Sequence, residues 1–334
     1  MAPPISVLVI GVGEFGQHYA DILSRLNSWR LPHTPQIERL ILTRTRFESA
    51  ERFAESLQQN DDCSVNEVVA AEASDIEHVR DLLEDYHPGM IAIVAKDKEL
   101  GDTIHALYAA EAIAYGAVLC EKPFCNANGD GSSLQYFHRL EHCNNSGLFG
   151  LELPLAVVTG AMMQIKDLRN LLLNASNFEF FWQARDRSDN NVIDDLVLHP
   201  WSLIPPQFKA KQIDVLDRGD QADIRINLQN PHSRKMATCR IRLRAGGNFR
   251  GMVIDDIVIS IITEGRLTKL VQVNGPLNDA ARSQNTSVKE DVLLQVNNPL
   301  EQHIVAALRR KPIVSLSRAY ESQLFLEQLR GYRP

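Results

Sequence analysis

Ile5-Ser-Val-Leu-Val-Ile10-Gly11-Val12-Gly13-Glu14-Phe15-Gly16 decides the fold of this chain. The first six residues form a short apolar run rich in β-branched side chains, the pattern of a buried strand. The spacing Gly-x-Gly-x-x-Gly then turns the chain. Its first glycine permits the tight turn, the second lets the backbone approach a pyrophosphate, and the third allows close helix packing. Behind it Tyr19, Ile22, Leu23 and Leu26 fall at i, i+3, i+4 and i+7, which gives a helix one apolar face. The N-terminus of such a helix offers unpaired N–H groups to phosphate. Gly11, Gly13, Glu14, Phe15 and Gly16 are therefore expected to contact a dinucleotide.

Beyond this stretch, the first half alternates apolar runs with amphipathic segments. A second strand is expected at 39–43 and a helix through Ile76, Val79, Leu83 and Tyr86. Pro88-Gly89 then breaks the chain before a strand at 90–95, a helix at about 102–115 and a strand at 117–120. This is the α/β pattern of a doubly wound parallel sheet. Farther on the period changes to two. Ile224, Ile226 and Leu228 alternate with Arg225, Asn227 and Gln229, and Cys239, Ile241 and Leu243 alternate with Arg240, Arg242 and Arg244. That alternation predicts an antiparallel sheet with one polar face. Residues 252–263 and 267–273 extend it around Glu264-Gly265-Arg266, a hairpin turn, and helices at 300–309 and 318–329 close the chain. Two domains are expected, 1–152 and 153–334.

An apolar fraction of 44% with 23% charged residues is that of a globular chain, and a net charge of −7 argues against nucleic acid as a partner. Cys63, Cys120, Cys125, Cys143 and Cys239 are an odd number without metal-ligand spacing, so a reducing, cytoplasmic compartment and no metal are expected. The N-terminus lacks a basic run, and the apolar stretch 5–10 is too short to span a membrane. The end of the second strand bears on the cofactor. It reads Leu42-Thr43-Arg44-Thr45-Arg46, with no carboxylate before Glu48. An acid there would bind the ribose hydroxyls, whereas arginine suits a 2′-phosphate. Thr43, Arg44 and Arg46 thus favour NADP over NAD, unless the two arginines are simply solvated loop charges.

About a hundred residues beyond the glycine turn, Val118-Leu-Cys-Glu121-Lys122-Pro123-Phe124 resembles the Glu-Lys-Pro signature of the glucose-fructose oxidoreductase and inositol dehydrogenase family, Gfo/Idh/MocA. Asp195-Leu-Val-Leu-His199, preceded by Asn190-Asn191-Val192-Ile193, resembles the family's Asp-x-x-x-His pair. The resemblance implies a Rossmann domain followed by an α+β domain with an open, mainly antiparallel sheet, and an active site in the cleft between them. It implies Lys122 as the catalytic lysine, Pro123 and Glu121 near the nicotinamide, and Asp195 and His199 at the substrate, with His199 as acid and base. Ala95 would contribute from the fourth strand's end. Substrates would be sugar-like or biosynthetic intermediates. Hydride transfer to or from a carbinol carbon needs a proton exchanged at oxygen, which histidine does well near neutrality, and a lysine charge stabilises developing alkoxide. Reduction of a C=N bond is the near alternative, and a non-catalytic dinucleotide sensor the distant one.

The chain also departs from that pattern. Ala95-Lys96-Asp97-Lys98 replaces a Thr-Pro-type turn, His105 only roughly matches a recurrent histidine, Glu152 stands where arginine is common, and Pro200-Trp201-Ser202 follows the histidine directly. The last change predicts a less polar substrate than a free hexose. Asp195 and His199 at i, i+4 would share a helix face that Asp194 does not, although Pro200 disfavours a continuous helix. Arg240, Arg242 and Arg244 are read as a solvated face, with anion binding the alternative. Phe178, Phe180 and Trp182 are read as core or interface, and the open sheet as the contact of a homodimer or homotetramer.

Overall fold

The computed structural model describes residues 3–184, 192–230, 234–274 and 291–333. Its contacts divide the chain into two units, Met1–Glu152 with Leu300–Glu327, and Leu153–Pro299 with Gln328–Arg333. The first unit runs β1 (Ile5–Ile10), α1 (Gly16–Arg25), β2 (Ile37–Arg44), α2 (Phe47–Gln58), β3 (Glu67–Glu72), α3 (Ile76–Tyr86), β4 (Met90–Ile93), α4 (Thr103–Ala112), β5 (Ala117–Cys120), α5 (Gln135–Glu141) and β6 (Phe149–Leu151). All six strands pair in parallel, in the order β3-β2-β1-β4-β5-β6. Strands β4 and β5 are buried along their whole length, as an apolar run covered on both faces must be. The order reverses between β1 and β4, the point where a crevice opens beyond the strands' carboxyl ends.

The second unit opens with α6 (Pro154–Gln164) and α7 (Lys166–Asn174), then β7 (Asn177–Ala184), α8 (Val192–Leu196) and α9 (Leu198–Leu203). Strands β8 (Lys209–Asp217), β9 (Gln221–Gln229), β10 (Met236–Ala245), β11 (Arg250–Ile254), β12 (Ile257–Glu264), β13 (Leu267–Gln272) and β14 (Asp291–Asn297) follow. The eight-stranded sheet has the order β14-β13-β12-β11-β7-β10-β9-β8 and is antiparallel except where β7 meets β10. The period-two residues face as expected: Ile224, Ile226, Leu228, Cys239, Ile241 and Leu243 are buried on the side that carries Phe178, Phe180 and Trp182. Burial of each large apolar side chain contributes about 1.5–3 kcal/mol.

The closing helices, α10 (Pro299–Leu308) and α11 (Leu316–Leu329), differ from the expected division at residue 152. Ile304, Ala307 and Leu308 of α10 complete the core around Val7, Val9, Tyr19, Leu23 and Leu40, so most of this segment belongs with the first unit. Four strands escaped the sequence reading, among them the largely exposed edge strand β8. β3 is a half-buried edge, β6 spans three residues including Gly150, and β14 pairs along only one side. The stretch 252–263 is two strands, because Asp255 turns the chain at φ +51° while its carboxylate accepts the Ser176 and Asn177 N–H groups at 2.9 and 3.0 Å.

Candidate active site

At the carboxyl end of β1 the glycines are fixed by sterics of different kinds. Gly11 has φ +92°, and a Cβ there would stand 2.3 Å from Cα of Ala95. A Cβ on Gly16 would meet the Gly11 carbonyl at 2.5 Å. A Cβ on Gly13 would meet nothing within 4 Å, so no internal contact demands glycine there. Helix α1 begins with neither a side-chain cap nor an acid in its first turn; the Gln17 and His18 N–H groups donate to the Gly13 and Phe15 carbonyls at 3.1 and 3.0 Å, and the positive dipole end suits an anion. Phe15 is exposed beside the turn, edge-on to Tyr19 at 5.9 Å.

Thr43 differs from expectation. It is fully buried, and its Oγ1 and carbonyl accept the N–H groups of Gly11 at 3.1 Å and Val12 at 2.8 Å. Its hydroxyl braces the glycine turn and does not face a ligand. Arg44, the last residue of β2, donates from Nη1 to Ser49 Oγ at 2.8 Å and lies 5.3 Å over the Phe53 ring. Arg46 is exposed at the head of α2. Ser49 was invisible as a site residue in the sequence, one serine among charged helix residues.

The neighbouring order β1-β4-β5 brings Ala95 and Glu121-Lys122-Pro123 to the same sheet edge as the glycine turn. The Lys122–Pro123 peptide is cis. Buried His105 on α4 joins these segments: Nδ1 lies 2.8 Å from the Pro123 carbonyl and Nε2 2.6 Å from that of Ala95. Burial lowers its pKa and the two carbonyls oppose that shift. Beyond Pro123, Gln323 on α11 brackets Cys125, donating to its carbonyl at 2.9 Å and accepting its N–H at 3.3 Å. Buried Glu327 accepts the Gly129 N–H at 2.7 Å and the Ser133 hydroxyl. The closing helix therefore holds the loop that carries Lys122.

Beneath Lys122 lie three buried acids. Glu152 is 1% exposed and Tyr19 is fully buried; neither Glu152 oxygen, nor Glu121 Oε2, nor Tyr19 Oη has a well-formed hydrogen bond. Electrostatics links them instead. Burial pushes Glu121 up to about 7, against the pull of Lys122. Burial first, then the Glu121 charge, raises Glu152 well above the usual carboxylate range. Burial and both glutamates raise the Tyr19 phenol. Two carboxyls in so dry a place cannot both ionise, so the pair keeps a proton near neutrality. In the sequence, Glu152 between Leu151 and Leu153 was the only sign of this arrangement.

In the second unit, Asp195 is on α8 and His199 on α9, joined through Val197, which keeps helical dihedrals and donates to the Ile193 carbonyl at 3.0 Å; Pro200, near the start of α9, lacks the N–H that would continue the ladder. The Asp195 side chain, Asn190 and Asn191 lie outside the described parts of the structure. Asp194 is bound through both carboxylate oxygens by Arg330 Nη2, at 2.6 Å each, and so is committed to an ion pair. The His199 ring stacks on Trp182 with centroids 5.7 Å apart and planes 6° from parallel, and its carbonyl accepts the Ser202 hydroxyl at 2.7 Å. Trp201 is 2% exposed, which makes it core and removes the ground for inferring a less polar substrate from it. In the arginine row Arg240 binds Asp223 and Arg242 binds Glu179, while Arg244 is exposed. No group of three or more histidine, cysteine or acidic residues suited to a metal ion occurs among the described residues. Among them no helix is long and apolar enough to cross a membrane.

Residues 5–143 match the Gfo/Idh/MocA family model, described as an oxidoreductase family with an NAD-binding Rossmann fold. No curated protein matches the chain. Among solved structures it is similar to an NAD binding oxidoreductase from Klebsiella pneumoniae, at 14% identity and a TM-score of 0.61, covering 98% of this chain and 97% of that one. Levoglucosan dehydrogenase in complex with NADH aligns at 11% identity and a TM-score of 0.66, covering 99% and 97%. An oxidoreductase domain protein from Kribbella flavida aligns at 13% and 0.64, covering 98% and 97%. At these identities the likeness is one of fold.

The buried acids carry a pH signature. Glu121 and Glu152 have folded pKa values above their ordinary value of 4.5, so the folded state binds more protons than the unfolded one above that pH. Their contribution is present below pH 4.5 and is lost as pH rises through about 7, at about 1.4 kcal/mol for each tenfold difference in proton affinity between the folded and unfolded chain. The groups facing the pair are Tyr19, Cys120, Asp102 and Lys122. Urea unfolding from pH 4.5 to 8 should show the stability of Glu152→Gln falling less steeply with pH than that of the unaltered protein. Parallel profiles would contradict a proton shared by the two carboxyls.

Proposed function

We propose that this chain, whose residues 5–143 match the model of the Gfo/Idh/MocA oxidoreductase family, transfers hydride between NADP and a carbonyl or alcohol carbon of a sugar-like or biosynthetic intermediate. The observation that carries this reading is the edge formed by β1, β4 and β5, where the glycine turn, Ala95 and Glu121-Lys122-Pro123 stand side by side. The residues fit a dinucleotide. Gly11 and Gly16 pack tightly while Gly13 leaves open space above the uncapped start of α1. When bound, the pyrophosphate would be held beside Glu14 and Phe15, the 2′-phosphate by Arg44 and Arg46, and the nicotinamide by Ala95, Glu121 and Pro123. Arg44 is already oriented by Ser49 and Phe53, and no acid stands at the end of β2 to prefer a free ribose hydroxyl.

When bound, the nicotinamide supplies the hydride chemistry. Lys122 places its ammonium beside the substrate oxygen and stabilises negative charge there. His199 exchanges the proton at that oxygen, its ring held flat by Trp182. Asp195 orients the imidazole or binds a substrate hydroxyl. The five cysteines are free thiols, in keeping with a reducing cytoplasm. A second copy of the chain is expected on the sheet face that carries partly buried Phe181, Val253 and Val258 around Phe249.

Two measurements test this reading. Lys122→Ala should lose about 10²–10⁴-fold in kcat while still binding NADPH, because the lysine acts on the reacting oxygen; unchanged turnover would remove it from the chemistry. Fluorescence titration should give tighter binding of NADPH than of NADH, and Arg44→Ala with Arg46→Ala should weaken NADPH alone by about 10–100-fold. A preference for NADH would overturn the NADP assignment.

A further inference from the structure

Arg250 begins β11 directly opposite Trp182 on β7, and the pairs Met252 with Phe180 and Ile254 with Phe178 continue that face. This is the face against which His199 lies, stacked on the Trp182 indole. The Arg250 guanidinium carbon is 5.4 Å from the centroid of the same indole. One ring thus backs both the candidate acid–base and a cation.

That cation is unbalanced. Arg240, Arg242, Arg318 and Arg330 each meet a carboxylate, but among the described residues none meets Arg250, and its buried Nε has no acceptor. Burial lowers its pKa with no neighbouring acid to offset the shift. Withdrawing a charge from water without a partner is costly, and a cation–π contact of about 0.5–2 kcal/mol returns only part of it. A planar fork of donors fixed against an indole is suited to a carboxylate or phosphate oxygen pair.

We propose that Arg250 is a substrate-anchoring residue that binds an anionic substituent, carboxylate or phosphate, on the molecule whose reacting carbon His199 serves. The substrate class is then an acidic or phosphorylated polyol rather than a neutral sugar. Arg250 fixes the substrate by its charged end, and the Trp182 indole sets the distance from that end to the imidazole. The inference rests on the oxidoreductase reading for the identity of the reacting carbon, but the anion site itself has an independent readout.

Melting temperature is measured for the unaltered protein and for Arg250→Met in millimolar D-glucuronate, D-glucose 6-phosphate, D-glucose, and sodium chloride at matched ionic strength. An acidic sugar should raise the melting temperature of the unaltered protein by several degrees over the salt control, with glucose without effect, and Arg250→Met should lose the rise. A response to glucuronate alone assigns the carboxylate, and one to glucose 6-phosphate alone the phosphate. Without ligand, Arg250→Met should be at least as stable as the parent, since it removes an unpaired buried charge; a marked loss of stability would assign Arg250 a structural role and overturn the proposal. No response to either anion, an equal response to glucose, or a response that persists in Arg250→Met would overturn it as well. NADPH and NADH fluorescence titrations of the same samples report separately on the oxidoreductase reading, so loss of cofactor binding with a retained anion response would sink that reading and leave the anion site standing.

Discussion

Gly11 and Ala95 are packed so closely that no side chain fits between β1 and the end of β4. A Cβ on Gly11 would overlap the Ala95 backbone, and one on Gly16 would overlap the Gly11 carbonyl. The turn is therefore pinned by contact on two sides, and Thr43 pins a third by accepting the Gly11 and Val12 N–H groups. Everything else at this edge takes its position from that contact. α1 starts where Gly16 allows it, the end of β4 is held against the turn, and the His105 imidazole ties the Ala95 carbonyl to that of Pro123. The chain thus reaches Lys122 through a series of short, buried contacts that leave little freedom in where its backbone sits.

Electrostatics at this edge follows from the same close packing. With water excluded, Glu121 and Glu152 carry one charge between them, and Lys122 is the cation that eases it. The charge balance around Lys122 is thus set by its ammonium together with a proton held by the two carboxyls. Glu327 does different work: its carboxylate accepts backbone N–H groups of the loop after Cys125 and the Ser133 hydroxyl, and so ties that loop to α11.

Features written in local period and spacing were legible in the sequence. The strand, glycine turn and amphipathic helix of residues 5–26, the alternation on β9 and β10, and the order of the glycine turn, Glu121-Lys122-Pro123 and His199 needed only neighbours along the chain. Features set by distant partners were not. Thr43 looked like a ligand hydroxyl because nothing local shows that Gly11 claims it, and Trp201 looked like a substrate wall because its burial is a tertiary fact. Asp195 and His199 have helical spacing, and the backbone stays helical through Val197 between α8 and α9, with Pro200 removing one donor from the ladder. Glu152, Ser49, Gln323 and Arg250 carry no motif, and only the fold shows what each one faces.

Packing requires Gly11 and Gly16 but not Gly13, and in the proposed function only a bound nucleotide would require Gly13. NADPH affinity and melting temperature measured together on Gly13→Ala put that division to the test. The melting temperature should stay close to that of the unaltered protein, since the new methyl group meets nothing within 4 Å, while NADPH affinity should fall by about tenfold or more. Unchanged NADPH affinity in a fully folded Gly13→Ala protein would refute it.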